Sequence, residues 1–383
     1  MTIPMRDAGR PHDGIGLGYS MLDQDLRGVY TALEEGFYGR RNTIKVPRCT
    51  EEGLHAAFNA VLYDNPLLFD VGSDFRYTPL IGSITFRPTY VIGPEGTDRM
   101  RDEAMNVLDR VRGELNGKSS YEKELRIHDM LAGSVEYDRS AVFRGTMVGP
   151  LLRGRGVCGG ISLAASFLLN GVGVDTGVII GKTHEGEGHA WNMTRIDGEW
   201  YHLDVTWDLS AYGGHMKHDY LNVDDRFMSR SRTWRTAPAA SSMMRNYHSM
   251  DGVVVYRLED IPRIMQRLTE ERRRKIEFRI SEPLIPHYHK SAGTSALTDA
   301  LRGTGGIYSD YYNPITGCHV FDITYRWMRY GWHARNMRAQ YRLFSPRTDP
   351  WDSSYHPRWP LLPKSSSAER TLYEFRIAPL RPR

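Results

Sequence analysis

The dipeptide Asp197-Gly198 constrains this chain more than any other feature, because it lies between two strand-like runs. Asp-Gly in such a position is a strong signal for a two-residue β-hairpin turn. Counted outward from that turn, the register places Trp191 opposite Asp204. His189 and Asp204 then become diagonal neighbours on one face, with Cα atoms roughly 7–8 Å apart and side chains able to touch. The spacing therefore predicts a histidine whose ring is held by an aspartate.

The second strand of this hairpin separates two kinds of side chain. One face carries the apolar residues Tyr201, Leu203, Val205 and Trp207. The other face carries the polar residues His202, Asp204 and Thr206. We therefore predict that the first face packs against the core and that the polar face forms part of a site.

Cys158 begins a run of apolar residues at helical spacing that extends to Asn170-Gly171, a C-terminal stop. At a helix start, unpaired N–H groups and the macrodipole favour a thiolate, and a neighbouring imidazolium can lower a thiol pKa from about 8.5 to about 3.5–7.5. A cysteine in an apolar helix is more often a small buried hydrophobe. Its combination with a His-Asp hairpin instead favours a thiol nucleophile with a base and an orienting carboxylate.

Three motifs in this order, GRGVCGGIS, GHAWNM and DGEWYHLDVTWDLS, resemble the transglutaminase-like superfamily of papain-like thiol enzymes. The resemblance extends from Tyr121 to Trp234, about a third of the chain. It implies an α+β fold with a papain-like core, in which a catalytic helix packs on an antiparallel sheet, with further α+β elements at both ends as in bacterial members. It also implies a catalytic triad of Cys158 as nucleophile, His189 as general base and acid, and Asp204 as orienter.

The resemblance also suggests three further candidates for the oxyanion hole or the substrate groove. Tyr137 matches a recurrent tyrosine that would help the Cys158 N–H form an oxyanion hole, although a core tyrosine after a helix is an equal alternative. Gly159 stands where relatives often have a polar residue, at the near wall of the groove. Trp191 is the third candidate.

The implied chemistry is acyl transfer from an amide, either a peptide bond or a glutamine side chain, through a thioester. With water as acceptor the protein is a hydrolase, a cysteine peptidase or amidase; with an amine it is a protein-glutamine transglutaminase. We favour hydrolysis slightly, because nothing marks a calcium site or an amine channel. A non-catalytic binding or scaffold protein that keeps the fold is the alternative of another class. The expected partner is a protein or peptide substrate, with no nucleic acid and no membrane.

No cofactor and no metal are expected. The glycines of GRGVCG satisfy a dinucleotide-binding pattern but lack a clear preceding strand. The histidines of HEGEGH are five apart, one more than a zinc-protease helix requires. A zinc site is possible only if the fold gathers His184, His202, His215 and His218. We interpret His128, which lies beside an apolar stripe, as a partly buried structural histidine.

Glu185 and Glu187 lie in the loop before His189. We interpret them as solvated loop acids; the alternative is that they select a basic substrate.

Composition is that of a globular protein, with 40% hydrophobic and 25% charged residues, and a net charge of +4 does not demand nucleic acid or membrane. Three widely separated cysteines, Cys49, Cys158 and Cys318, argue against a disulfide framework and suit a reducing compartment. The N-terminus has no apolar signal-like run, so a cytoplasmic location is expected.

Three regions are predicted along the chain: an N-terminal α+β region over residues 1–118, the transglutaminase-like core over 119–249, and a C-terminal α+β extension over 250–383. Residues 1–18 are expected to form a loosely held arm, and 230–246 a basic irregular stretch. A helix over 260–274 is expected to end in a run of cations that complements its macrodipole. Strands are predicted over 340–344 and 372–377, with a long surface connection between them.

Overall fold

Asp197 and Gly198 form the predicted turn, which joins two neighbouring strands of a five-stranded antiparallel sheet. The computed structural model describes residues 16–210 and 216–325. Both turn residues have positive φ, 52° and 90°, as a type I′ hairpin turn requires. The ladder follows the predicted register as far as Leu203. It stops before Asp204, because Asp204 instead caps a helical turn at Val205–Asp208.

The N-terminal region packs helices against a three-stranded antiparallel sheet. Its elements are α1 (Leu17–Met21), α2 (Arg27–Tyr38, preceded by a 3-10 turn at Gln24–Leu26), β1 (Ile44–Pro47), α3 (Glu51–Asp64), β2 (Val71–Leu80) and β3 (Ser83–Tyr90), with strand order β1-β3-β2. Thr50 Oγ1 accepts the Gly53 N–H at 3.0 Å, so α3 begins where its capping residue predicts. Strands β2 and β3 pair as an antiparallel hairpin.

Residues 16–18 are anchored, so the prediction of a loose arm is wrong for them. The side chain of Leu17 is buried with Ile179 and Trp191. The backbone N–H groups of Gly18 and Tyr19 each donate to the Asp64 carboxylate at 2.8 Å. The carboxylate at the end of α3 thus accepts hydrogen bonds from the free N–H groups in the first turn of α1. Residues 1–15 lie outside the described part of the chain.

The central region surrounds the hairpin with short and long helices. Its elements are α4 (Pro94–Leu115), α5 (Ser120–Ser134), β4 (Glu136–Tyr137), α6 (Val148–Arg153), β5 (Arg155–Gly156), α7 (Cys158–Gly171), β6 (Thr176–Thr183), β7 (Gly188–Ile196), β8 (Glu199–Leu203), α8 (Val205–Asp208), β9 (Leu221–Val223), α9 (Asp225–Met228), β10 (Arg232–Trp234) and α10 (Tyr247–Met250). The order of the five-stranded sheet is β10-β6-β7-β8-β9.

Helix α7 is the centre of the largest core. Every residue from Gly159 to Asn170 is buried, which is typical of a helix enclosed on all sides. It packs on β6 and β7 and is flanked by α4, α5 and α6. A helix packed on an antiparallel sheet is the predicted α+β arrangement, which is confirmed.

Strand β10 lies within residues 230–246, where the sequence predicts an irregular stretch. It pairs with the edge of the sheet through Arg232↔Thr183 and Trp234↔Gly181. Three residues are too few for an alternating pattern to be visible in the sequence. The expectation of an irregular stretch is therefore wrong at Arg232–Trp234.

The C-terminal region combines helices with a four-stranded sheet of its own. Its elements are β11 (Val253–Val255), α11 (Ile261–Glu270), β12 (Lys275–Ile280), α12 (Lys290–Ala300), β13 (Ile307–Asn313) and β14 (Cys318–Thr324), with 3-10 turns at Leu258–Asp260 and Glu282–His287 and strand order β11-β12-β14-β13. Helix α11 ends at Glu270, and Arg272 has a positive φ of 56°. The cationic run thus lies in a turn and at the start of β12, so its interpretation as the last turn of a helix is wrong.

The division into three domains stays a prediction. Helix α4, which the predicted boundary assigns to the N-terminal region, contributes Met100, Ala104 and Leu108 to the same core as α7. The strands predicted over 340–344 and 372–377, and the connection between them, lie outside the described residues. Within the described ranges, no helix combines the length and apolarity needed to cross a bilayer.

Candidate active site

Cys158 is the first residue of α7 and is partly exposed. The loop before it passes close to the helix, because a Cβ at Gly160 would lie 2.2 Å from the carbonyl oxygen of Arg144. Only glycine allows that approach. At Gly159 a Cβ would meet only the carbonyl oxygen of Gly145, at 3.9 Å, so the space beside this residue is open. The thiol thus lies at a helix N-terminus whose first turn is closed on one side and open on the other.

His189 lies on β7 and contacts both Cys158 and Asp204. Its Nε2 is 2.7 Å from Asp204 Oδ2. Its side chain also hydrogen-bonds to the Cys158 sulfur. The backbone N–H of Ala190 donates to the same sulfur. The structure therefore brings the three predicted residues together in the order thiol, imidazole, carboxylate.

The electrostatics of this arrangement favour separated charges. Burial opposes ionisation of Cys158, but the hydrogen bond and charge of His189 outweigh it and lower the pKa of the thiol. Burial also opposes protonation of His189, but the charge and hydrogen bond of Asp204 outweigh it and raise the pKa of the imidazole. A low thiol pKa beside a high imidazole pKa is the condition for a thiolate-imidazolium pair.

Arg232 is a site residue that sequence reasoning missed. Its Nη2 and Nε donate to Asp204 Oδ2 at 2.8 and 3.3 Å. The guanidinium is fully buried and lies 4.1 Å from the ring centroid of Trp207 and 4.9 Å from that of Tyr220. Burial raises the pKa of Asp204, but the charges of His189 and Arg232 more than compensate and hold it below its usual value. The sequence gives no signal for this pair, since the two residues are far apart along the chain and β10 is very short.

Tyr63 is a second missed residue, and it comes from the N-terminal region. It is buried in the core that surrounds α7. Burial, followed by the charge of Cys158, raises the pKa of this phenol, so Tyr63 lies near the sulfur and stays neutral. Helix α3 thus contributes a side chain to the surroundings of the thiol.

The three groove candidates have different surroundings. Tyr137 pairs with Gly156 in the short parallel ladder of β4 and β5, and its hydroxyl hydrogen-bonds to the Arg139 side chain. Gly159 faces open space. Trp191 is fully buried, stacks on His189 with ring centroids 5.8 Å apart, and donates its Nε1–H to His202 Nδ1 at 3.0 Å. The prediction that Trp191 lines the groove is therefore wrong. Its ring packs against His189 inside the core.

The predicted polar face of β8 is buried. His202, Asp204 and Thr206 are at most 8% exposed, so this face is an internal polar layer. His202 Nε2 is 2.8 Å from Asp225 Oδ1. On the surface, Glu187 pairs with Arg139 at 3.3 Å.

The described members of the possible zinc set, His184, His202 and His218, do not converge, and His215 lies outside the described residues. Two other groups of donors do converge: His128, Asp129 and His218, and His248, Glu277 and Cys318.

Comparison with known proteins extends the assignment. Residues 109–205 match the family model of the transglutaminase-like superfamily. A crystal structure of a TGase is similar at 14% identity and a TM-score of 0.26, over 43% of this chain and 50% of that chain, so the likeness spans half of its length. A candidate cysteine protease from Cytophaga hutchinsonii is similar at 11% identity and a TM-score of 0.24, over 46% of this chain and 68% of that one. Comparison with curated proteins finds no match.

The matched segment includes the start of α7, the whole of β7 and β8, and Asp204. The resemblance seen in the three sequence motifs is therefore confirmed. Residues 109–205 thus carry the similarity of this chain to the transglutaminase-like superfamily.

Proposed function

We propose that this protein is a thiol-dependent acyl-transfer enzyme that acts on amides of proteins or peptides, with water as the acceptor. One observation carries the proposal: the Cys158 sulfur hydrogen-bonds to His189, whose Nε2 lies 2.7 Å from the carboxylate of Asp204. A nucleophile, a base and a group that orients the base, each within hydrogen-bond reach of the next, are the signature of an activated nucleophile. A buried structural cysteine has no need of such partners.

In the first step, the Cys158 thiolate attacks the amide carbonyl carbon. A C–S bond forms and the carbonyl electrons move to oxygen. The developing oxyanion is favoured by N–H groups at the start of α7, where the helix dipole is positive. His189 then gives a ring proton to the amide nitrogen. The oxyanion electrons re-form the carbonyl, the C–N bond breaks, and the amine departs, so that Cys158 carries a thioester.

In the second step, neutral His189 accepts a proton from water as the water oxygen attacks the thioester carbon. The C–S bond breaks, and the products are a carboxylic acid and the Cys158 thiolate paired with imidazolium. Asp204 keeps the ring oriented in both steps and stabilises its charged form. Arg232 is a positioning residue, since it contacts Asp204 rather than the reacting atoms.

With an amine as the acceptor in place of water, the same site would be that of a transglutaminase. A non-catalytic binding protein would transfer the acyl group to neither acceptor.

We incubate the full chain with a defined peptide mixture containing glutamine, with and without a primary amine, and analyse the products by mass spectrometry. The proposal expects peptide cleavage or deamidation in both samples, absent for Cys158→Ala and retained for Cys49→Ala. Stable incorporation of the amine would indicate transglutamination, and unchanged peptides in all samples would contradict the enzymatic proposal.

A further inference from the structure

Away from the thiol site, two buried histidines from different elements converge on one carboxylate. His128 and Asp129 lie on α5, and His218 lies just before β9. His128 Nδ1 is 3.0 Å and His218 Nε2 is 2.8 Å from Asp129 Oδ1. All three donor atoms lie within 4.8 Å of one another. Imidazole nitrogen and carboxylate oxygen are both ordinary ligands of Zn²⁺.

The outer nitrogen of each ring is held by a different buried acid. His128 Nε2 is 3.3 Å from Asp208 Oδ2, and His218 Nδ1 is 2.8 Å from Glu277 Oε2. The side chains of both acids are at most 2% exposed. Histidines that bind metals almost always present their second nitrogen to a carboxylate or carbonyl, which fixes the ring orientation. Here that arrangement occurs twice and aims both inner nitrogens at Asp129.

We propose that His128 Nδ1, Asp129 Oδ1 and His218 Nε2 bind one Zn²⁺ ion. Each imidazole has a carboxylate oxygen within 3.3 Å of both of its nitrogens. The nitrogen that faces Asp129 binds the ion in its deprotonated form, so any proton on it leaves when the ion binds. Donors around a tetrahedral zinc at about 2.0–2.1 Å lie about 3.3 Å apart, so the two nitrogen–oxygen distances must lengthen by only a few tenths of an ångström.

Access and the fourth ligand follow from the exposure of Asp129. Its side chain is 27% exposed, whereas those of His128 and His218 are 0% and 3% exposed. Solvent therefore reaches the cluster from the Asp129 side, where a water molecule would complete a tetrahedral shell. Tyr247 stacks on His218 with ring centroids 3.7 Å apart. The bound ion would connect α5 of the central region, through His218 and Glu277, to β12 of the C-terminal region.

The second donor group, His248, Glu277 and Cys318, fits an ion less well. All three residues are fully buried, and the shortest contacts of Cys318 Sγ with the other two are 3.5 and 3.6 Å. Among the described residues, His248 Nδ1 has no hydrogen-bond partner that would orient the ring. We therefore treat this group as the alternative zinc site, which the experiment below distinguishes from the first.

The experiment uses the full chain carrying Cys158→Ala, so that the thiol site cannot bind the ion and the result does not depend on the proposed function. Metal-free protein is titrated with Zn²⁺ by calorimetry, and with Co²⁺ by absorption spectroscopy. We expect one Zn²⁺ per chain with a dissociation constant below about 1 µM. We also expect Co²⁺ bands of nitrogen and oxygen ligation, without the charge-transfer band of a thiolate ligand.

Two variants test the ligands separately. His218→Gln and the more exposed Asp129→Asn should each weaken Zn²⁺ binding by at least about 10–100-fold. His184→Gln, at an exposed histidine, and Cys318→Ser should leave binding unchanged. If His218→Gln fails to fold, Asp129→Asn decides. No stoichiometric binding, or binding that survives Asp129→Asn and is lost in Cys318→Ser, would overturn the proposal and leave the cluster as an ion-pair network.

Discussion

Arg232 donates two hydrogen bonds to the Asp204 oxygen that also lies 2.7 Å from His189 Nε2. The other carboxylate oxygen accepts the Trp207 N–H at 3.3 Å. A buried carboxylate with an arginine on one side and an imidazole on the other stays ionised. The charge that orients His189 thus depends on a residue of β10, the edge strand that pairs with β6.

Arg232→Lys should weaken the triad without removing a charge. Lysine is a point charge and cannot reproduce the two-pronged contact or the stacking on Trp207. Asp204 would then take up a proton at a higher pH and would no longer support the imidazolium. We expect the acid limb of the pH profile of Cys158 alkylation to move upward by about 1 unit. Arg230→Lys, which alters a surface pair with Glu282, is the control, and equal profiles for the two variants would contradict the role of Arg232.

Gly160→Ala should destabilise the protein, whereas Gly159→Ala should not. A methyl group at residue 160 would lie 2.2 Å from the Arg144 carbonyl oxygen and force the preceding loop away from α7. We expect a loss of about 1–3 kcal/mol in the free energy of unfolding, the usual cost of overpacking. At residue 159 the same group meets nothing closer than 3.9 Å. Urea denaturation of both variants checks this, and equal stabilities would count against the close approach.

Cys158→Ala should abolish activity at little cost in stability, whereas Cys318→Ala should do the reverse. Cys158 is partly exposed, so its replacement is expected to change the free energy of unfolding by about 0.5 kcal/mol or less. Cys318 is fully buried and contacts His248 and Glu277, so its loss leaves a cavity and should cost about 1 kcal/mol or more. Product formation and urea denaturation measured on both variants separate the two roles. A large stability loss for Cys158→Ala alone would indicate a structural cysteine.

Glu124 should make stability depend on pH. Burial raises its pKa to about 7, against the hydrogen bonds from Thr194 and Asn222 and the charge of His128. In the unfolded chain the carboxyl loses its proton near about pH 4.3. Between these values the folded state binds more protons than the unfolded state, so the free energy of unfolding falls as the pH rises.

Glu124→Gln removes this titration and should be more stable relative to wild type at pH 8 than at pH 5. Urea denaturation at the two pH values provides the measurement. Glu103→Gln, at a residue whose side chain is 42% exposed, is the control and should show no such change. An identical pH dependence for wild type and Glu124→Gln would refute the expectation.

The sequence predicts the centre of the fold because local rules determine it. Asp197 and Gly198 specify a turn geometry, the turn determines the register, and the register brings His189 to Asp204. The starts of long helices with clear capping residues, such as α3 and α5, can be predicted from the sequence in the same way.

Contacts between distant short elements are not predictable in this way. Arg232 reaches Asp204 only because a three-residue strand pairs with the sheet edge. His218 meets Asp129 only because an irregular segment passes α5. Trp191 alternates correctly along β7 but is covered by packing that no single strand reveals. The charges of the run that ends at Lys275 favour the last turn of a helix, but α11 ends at Glu270 and Arg272 has a positive φ of 56°.

The most direct test of the account is the rate at which a small iodoacetamide probe alkylates Cys158 as a function of pH, followed by peptide mass spectrometry in wild type and His189→Ala. Cys49 is an internal reference, because burial and then the charge of Asp25 raise the pKa of its thiol. We predict that wild-type Cys158 reacts on a plateau extending well below about pH 7, that His189→Ala loses this plateau, and that Cys49 reacts only at high pH in both. A single rise near about pH 8.5 for Cys158 in both proteins would contradict it.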